Sequence, residues 1–261
     1  MAQVSSISRV GTTEPFYLQV ARNQISFHKD NFKFGFNPDV DNSLETIWAE
    51  GGLYSYLSSA TALKVSSSSL DDSSTGTGAR TIAVSGLDAN YDELTETVVL
   101  AGQTAITTSN QFIRVNRIKV LTAGSGGQNA GVIYAGTGAI SSGVPANKYA
   151  TIAIGDNQTL MCTWTVPRGY TAYLHQLDIT MNTEVANKYG TVSLVARPFG
   201  GVFNVQDKFV LSQDIIHQTF TYPRKYEEKT DIEVRAIASS SNADLAVSAG
   251  LDIIYIQNDG A

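Results

Sequence analysis

The apolar residues of this chain come in short alternating runs, and nearly every run is closed within about ten residues by Gly, Ser, Asn or Pro. Side chains alternate across a strand, so such a run gives one face to a core and the other to water. Ile82 and Val84 alternate in RTIAVSG, Leu94, Val98 and Leu100 in YDELTETVVLAG, and Ile113, Val115, Ile118 and Val120 in FIRVNRIKVLTA. The last two slip phase partway, as a bulge or a two-sided strand would make them do. Further runs follow at residues 160–166, 170–181, 191–196, 202–211, 215–222, 231–238 and 245–256. Pro167-Arg168-Gly169 and Pro198-Phe199-Gly200-Gly201 read as hairpin turns between consecutive strands. Strands without intervening helices exclude a doubly wound nucleotide-binding fold. The expected fold is mainly β.

The pattern divides the chain into three sections. Residues 1–57 read as an extended, aromatic arm with one short helix at about 43–50. There Asn42 and Glu45 have capping-box spacing, and Gly51-Gly52 supplies the stop. Residues 62–140 read as a small β-sandwich. The polar stretch 66–78, SSSSLDDSSTGTG, reads as a mobile surface loop. Residues 141–147 have linker composition, and 148–261 read as a second sandwich or jelly roll. Deleting residues 1–40 should then leave both sandwiches folded.

Charge narrows the function. Lys and Arg number 18 against 24 Asp and Glu, giving a net charge of −6, and only 16% of residues are charged. An acidic chain without a basic block lacks the cations that nucleic-acid binding requires. No apolar run reaches the ~18 residues that span a bilayer, so no membrane partner is expected. The lone Cys162 cannot form an internal disulfide. The N-terminal residues lack a signal-peptide pattern, so we expect a chain made in the cytosol and released, if at all, by lysis.

The residues that could carry chemistry do not cluster. Cys162 lies inside a predicted strand, and His28, His175 and His217 are far apart in sequence. His175 and Asp178 have a spacing that puts them on opposite strand faces, and alternation pairs His217 with Thr219. Asp71-Asp72 reads as a solvated acidic loop without the ordered oxygen ligands of a calcium site. Asp92, Glu93 and Glu96, and likewise Glu227 and Glu228, read as edge or turn charges, not as a glycosidase pair. The glycines after Val120 are spaced as a turn, without the helix and the acid of a dinucleotide loop. Trp48, Trp164, Tyr170 and Tyr173 fit core packing better than a sugar-stacking platform. The expectation is a non-enzyme without cofactor or metal.

Four phrases are more distinctive: FGFNPDVDNSLETIWAEGGLY (34–54), GTGARTIAVSGLDANYDELTETVVLAGQ (76–103), FIRVNRIKV (112–120) and YPRKYEEKTDIEVRAIASSSNADLAVSAGLDIIYI (222–256). They resemble a family of virion structural proteins from tailed bacteriophages, notably aquatic, cyanophage-like ones. The resemblance implies a virion component assembled in the host cytoplasm. Its partners would be the major capsid protein or other virion proteins and copies of itself, with a trimer favoured. A capsid decoration or head-surface role is the leading expectation. A tail or fibre adaptor, with a receptor- or glycan-binding β domain, is the alternative. The aromatics Phe16, Tyr17, Phe27, Phe32, Phe34, Phe36 and Trp48 are the candidate assembly contacts.

Overall fold

The structure is a computed structural model that describes residues 14–183, 185–241 and 245–258. The fold is nearly all β. In chain order the described residues form α1 (Phe16–Ala21), β1 (His28–Val40), β2 (Glu45–Thr46), β3 (Thr61–Ser67), β4 (Ala79–Leu87) and β5 (Glu93–Val99). Next come β6 (Ile106–Phe112), β7 (Arg114–Ala123), β8 (Ile133–Ser141), β9 (Val144–Ile152), β10 (Thr163–Thr165) and β11 (Tyr170–Thr183). The last five are β12 (Gly190–Arg197), β13 (Asn204–Leu211), β14 (Ile215–Tyr226), β15 (Asp231–Ala238) and β16 (Leu245–Gln257).

Four small sheets result, with strand orders β1-β16-β11-β14, β10-β15-β12-β13, β6-β3-β8-β9 and β5-β4-β7, and β2 pairs with β15. The first two sheets share one hydrophobic core, which holds Val40, Ile47 and the buried residues from Cys162 to Tyr255. The other two share a second core, running from Trp48 to Met161. The chain therefore enters the first unit, leaves it to build a complete second unit, and returns. Exit and return lie side by side: the Cys162 N–H donates to the Ile47 carbonyl at 2.9 Å, and Trp48 bridges Met161. Gly35 of β1 packs against both crossings, where a Cβ would collide with backbone atoms of Ile47 and Cys162.

This insertion redraws the predicted boundaries. Residues 28–47 are not part of a projecting arm. Strand β1 pairs with β16 from His28↔Ile256 to Val40↔Leu245. Residues 1–13 of the expected arm lie outside the described residues. Residues 141–147 are not a linker either, since Ser142 and Gly143, both at positive φ, form the two-residue turn of the β8–β9 hairpin. The turn at 167–169 carries the chain from one sheet to the other, because β10 and β11 belong to different sheets.

The helix expected at about 43–50 is absent, and Glu45–Thr46 is a strand. The Glu45 carboxylate, instead of capping, accepts from the Asn37 side chain at 2.9 Å and from the N–H groups of Asp41 and Gly52 at 2.9 and 3.0 Å. Tertiary pairing with β15 outweighs the local capping signal. The described helix is α1, set just after Pro15, whose fixed φ suits a helix start.

The expected mobile loop at 66–78 is pinned. Asp72 is fully buried and accepts four hydrogen bonds, from the Ser67 hydroxyl and the N–H groups of Ala79, Ala130 and Gly131, at 2.6–2.8 Å. A carboxylate with that many donors organises the loop from inside. The phase slip expected in residues 112–123 corresponds to register shifts between β4 and β7, whereas β4 and β5 pair without one.

Candidate assembly surface

Over residues 30–37 of β1 the even positions point outward and the odd ones inward, before the register shift at Asn37 breaks the alternation: Phe32 and Phe34 are exposed, whereas Lys33, Gly35 and Asn37 are buried. The outer face of the β1-β16-β11-β14 sheet therefore carries aromatic side chains. The Phe32 and Phe34 rings stack at 6.4 Å, and the Phe32 ring lies against Gly250 of β16. Helix α1 covers one end of this face. Its Tyr17 hydroxyl meets His175 Nδ1 at 3.1 Å, and Phe16 packs edge-on against Tyr17 and His28. Between α1 and the sheet lies an open groove of about 370 Å³, lined by Tyr17, Asp30, Phe32, His175, Gln176 and Asp252, among others.

The polar groups on the face are more connected than their spacing suggests. A bulge between Leu174 and Gln176 shifts the phase of β11 and turns His175 toward α1. His217, expected to associate with Thr219, pairs with Asp178 at 2.6 Å. Burial, and after it the nearby Asp178 carboxylate, pushes the Asp252 carboxyl above its ordinary range, while His175 and His217 pull the other way. Cys162 is buried, and desolvation pushes its thiol up to about 12, so it is not a thiolate nucleophile at neutral pH.

The candidate contacts divide. Phe16, Tyr17, Phe27, Phe32 and Phe34 are exposed, and Phe36 is half-buried. Trp48 leaves the set: it is 4% exposed, its indole N–H donates to the Gly51 and Gly52 carbonyls, and its ring packs edge-on against Tyr54. Trp164 is buried in the other core, so the two tryptophans share no platform. A second exposed group is one that sequence patterning did not single out. Val205 and Val210 on β13, with Ile215 and Tyr222 on β14, protrude from two strands that each edge a sheet. Their alternation is visible in the sequence, but which strands lack an outer neighbour is a property of the sheet order.

The junction of the two units holds a charge network that spacing could not show. Asp231 of β15 is buried and accepts from Arg114 of β7 at 2.7 and 3.1 Å, from Arg197 at 3.0 and 2.6 Å, and from the Thr165 hydroxyl at 2.6 Å. The Arg114 and Arg197 guanidiniums lie over the Tyr56 ring at 4.9 and 4.5 Å. Fully buried Glu233 accepts from the Tyr56 hydroxyl and Arg235 at 3.1 and 2.9 Å.

No family model matches the chain, and no curated protein matches it. Among solved structures it is similar to a structure of infectious bursal disease virus, Gx strain, at 12% identity and a TM-score of 0.27, over 90% of this chain and 74% of that one. It is likewise similar to the VP2 subviral particle of the same virus, at 12% identity and 0.24, over 94% and 78%. Backbones that superpose this poorly carry no argument about function.

Proposed function

We propose that this chain is a non-enzymatic structural component of a virus particle, and more specifically a decoration protein on the surface of a phage head. It would bind the shell and copies of itself, with a trimer as the free form. The observation that carries the reading is the exposed apolar chemistry of the first unit: Phe32 and Phe34 on one sheet face, and Val205, Val210, Ile215 and Tyr222 along adjoining edges. Clustered exposed apolar groups and open sheet edges are costly for an isolated protein and useful in an assembly. The winding supports it. Without β2, the unit's first strand pairs with its eighth and its second with its seventh, and we read this nesting as a jelly roll, an architecture that capsid and lectin domains use. The resemblance to phage virion proteins points the same way.

The test is the copy number of this chain in purified particles, by quantitative mass spectrometry. A number in step with the major shell protein is expected, and one in step with a tail protein overturns the head assignment. The double variant Phe32→Ser, Phe34→Ser should cost about 1–3 kcal/mol and still fold, because the rings are already 50% and 38% exposed. It should fail to enter particles, and normal incorporation would remove the sheet face from the proposal. The groove beside Tyr17 favours a second reading, a glycan-binding tail component, since it combines aromatic rings with the acceptors Asp30 and Asp252. A glycan array would decide it, with no binding expected for a head protein.

A further inference from the structure

Strand β1 has a second face, turned toward the inserted unit. There a cleft of about 200 Å³ lies between the units, with Asn31 and Lys33 on one wall, Ser85 and Arg117 on the other, and Glu93 and Tyr255 among the remaining groups. Its donors are poorly matched. Lys33 is 2% exposed, and among the described residues its ammonium finds one acceptor, the Asn116 backbone carbonyl. Arg117 donates to the Phe32 carbonyl at 2.6 Å and pairs with no carboxylate among the described residues. The Asn31 Nδ2 amide is buried, with no partner among the described residues.

The acid in the cleft does not answer this need. Glu93 is engaged by the Lys29 ammonium and accepts from the Tyr255 hydroxyl at 2.9 Å. Two basic side chains and an orphan amide N–H thus line one cleft without an anion of their own. Burying such charge unpaired is expensive, and an oxyanion is the group that satisfies several N–H donors together.

We propose that this cleft binds a small tetrahedral oxyanion of the phosphate type, held by Lys33, Arg117 and Asn31 and bridging the two units. Ser85, whose hydroxyl meets Thr95 Oγ1 at 3.0 Å, stands at the same site as a further donor. The charge state of the lysine fits the site. Burial, and after it the Arg117 guanidinium, lowers Lys33 to about 7, with a small opposing effect from Cys162. The titratable groups around it are Arg117 from β7, Glu93 from β5, Tyr255 from β16 and Cys162. A bound anion restores the ammonium, so binding above neutrality takes up a proton.

The experiment is calorimetric titration of the full chain with inorganic phosphate at about pH 8 and about 0.15 M KCl, in buffers of differing ionisation heat. Saturable binding with proton uptake is expected. Lys33→Met and Arg117→Gln should each weaken it by about tenfold or more, the loss of a charge-assisted hydrogen bond. Sulfate and glycerol phosphate arms distinguish a free anion from a terminal phosphoryl group, and binding of either supports the site. The proposal is overturned by absence of saturable binding, by a response that extra KCl reproduces, or by unchanged affinity in the variants. Should Lys33→Met fail to fold, Arg117→Gln, at a partly exposed position, carries the test alone.

Discussion

In the first unit His28 pairs with Ile256, so its sheet closes only when the two ends of the described chain meet. In the inserted unit β4 pairs with β5, and β8 with β9, each its next neighbour in sequence. The first unit also carries the exposed aromatic face of Phe32 and Phe34, while the second, with Val99, Ile106 and Leu121 exposed on its own edge strands, ties its loops together from inside through Asp72 and the Asn129 side chain. Closing a sheet over a long separation costs more chain entropy than closing a hairpin. The inserted unit is thus the more self-sufficient of the two, and the nested unit depends on segments far from its middle.

Deletion of residues 1–40 tests that contrast most severely. It removes β1 and exposes β16, and the nested unit should lose its fixed tertiary structure, contrary to what an independent arm implies. Each core contains one tryptophan, Trp164 in the nested unit and Trp48 in the inserted one, so the fluorescence of single-tryptophan versions reports on them separately. A Trp164 signal that stays native in the deletion would break the comparison.

Asp231→Ala should come next, at about 3–5 kcal/mol, because it leaves Arg114 and Arg197 facing a buried gap. In urea, the Trp48 and Trp164 transitions of single-tryptophan versions should coincide in the parent and separate in the variant. If they remain together, the junction is held by something other than this network. Asp72→Ala should cost about 2–3 kcal/mol by stranding buried donors, and should shift the Trp48 transition first. An equal shift of both transitions would mean that the inserted unit does not unfold on its own.

At any single pH step the smallest effect is the dependence on pH, at most about 1.4 kcal/mol per unit although it accumulates across the window. Lys33 is held near 7 in the folded chain against an ordinary 10.5, so between these values the unfolded chain binds more protons. Stability should therefore rise with pH across that window, the buried-charge penalty being complete below it and relieved above it. Denaturation at a series of pH values should show this slope in the parent and lose it in Lys33→Met. Added phosphate should flatten it as well, since an anion stabilises the charged form.

Much of the β content was legible because it is local. The alternation in RTIAVSG reappears as β4 with the expected buried positions Ile82 and Val84, and the run at 231–238 reappears as β15, where Ile232 and Val234 are buried but Asp231 and Glu233 on the opposite face are buried as well. The errors arose where a local signal had a distant competitor. Asn42 and Glu45 carry a helix-start spacing, but Glu45 is claimed by Asn37 and Gly52, and its backbone by β15. Asp72 sits among serines and glycines like a solvated loop residue, and only the approach of Ala130 and Gly131 makes it a buried anchor. Phe32 and Phe34 were legible as candidate contacts of an arm, but not as the outer face of a paired strand. Lys33 between them gave no sign, since its burial depends on Asn116 and Arg117 arriving from another strand.

The sequence by itself determined a mainly-β chain with an acidic, weakly charged surface, because alternation and composition act over a few residues and need no partner. Only the tertiary structure decided that the N-terminal aromatic stretch closes a sheet with the last strand, and that the middle of the chain is an insertion. It alone set which edges stay open and which cations meet in the cleft. Those outcomes depend on contacts between residues far apart along the chain, and such contacts leave no period in the sequence.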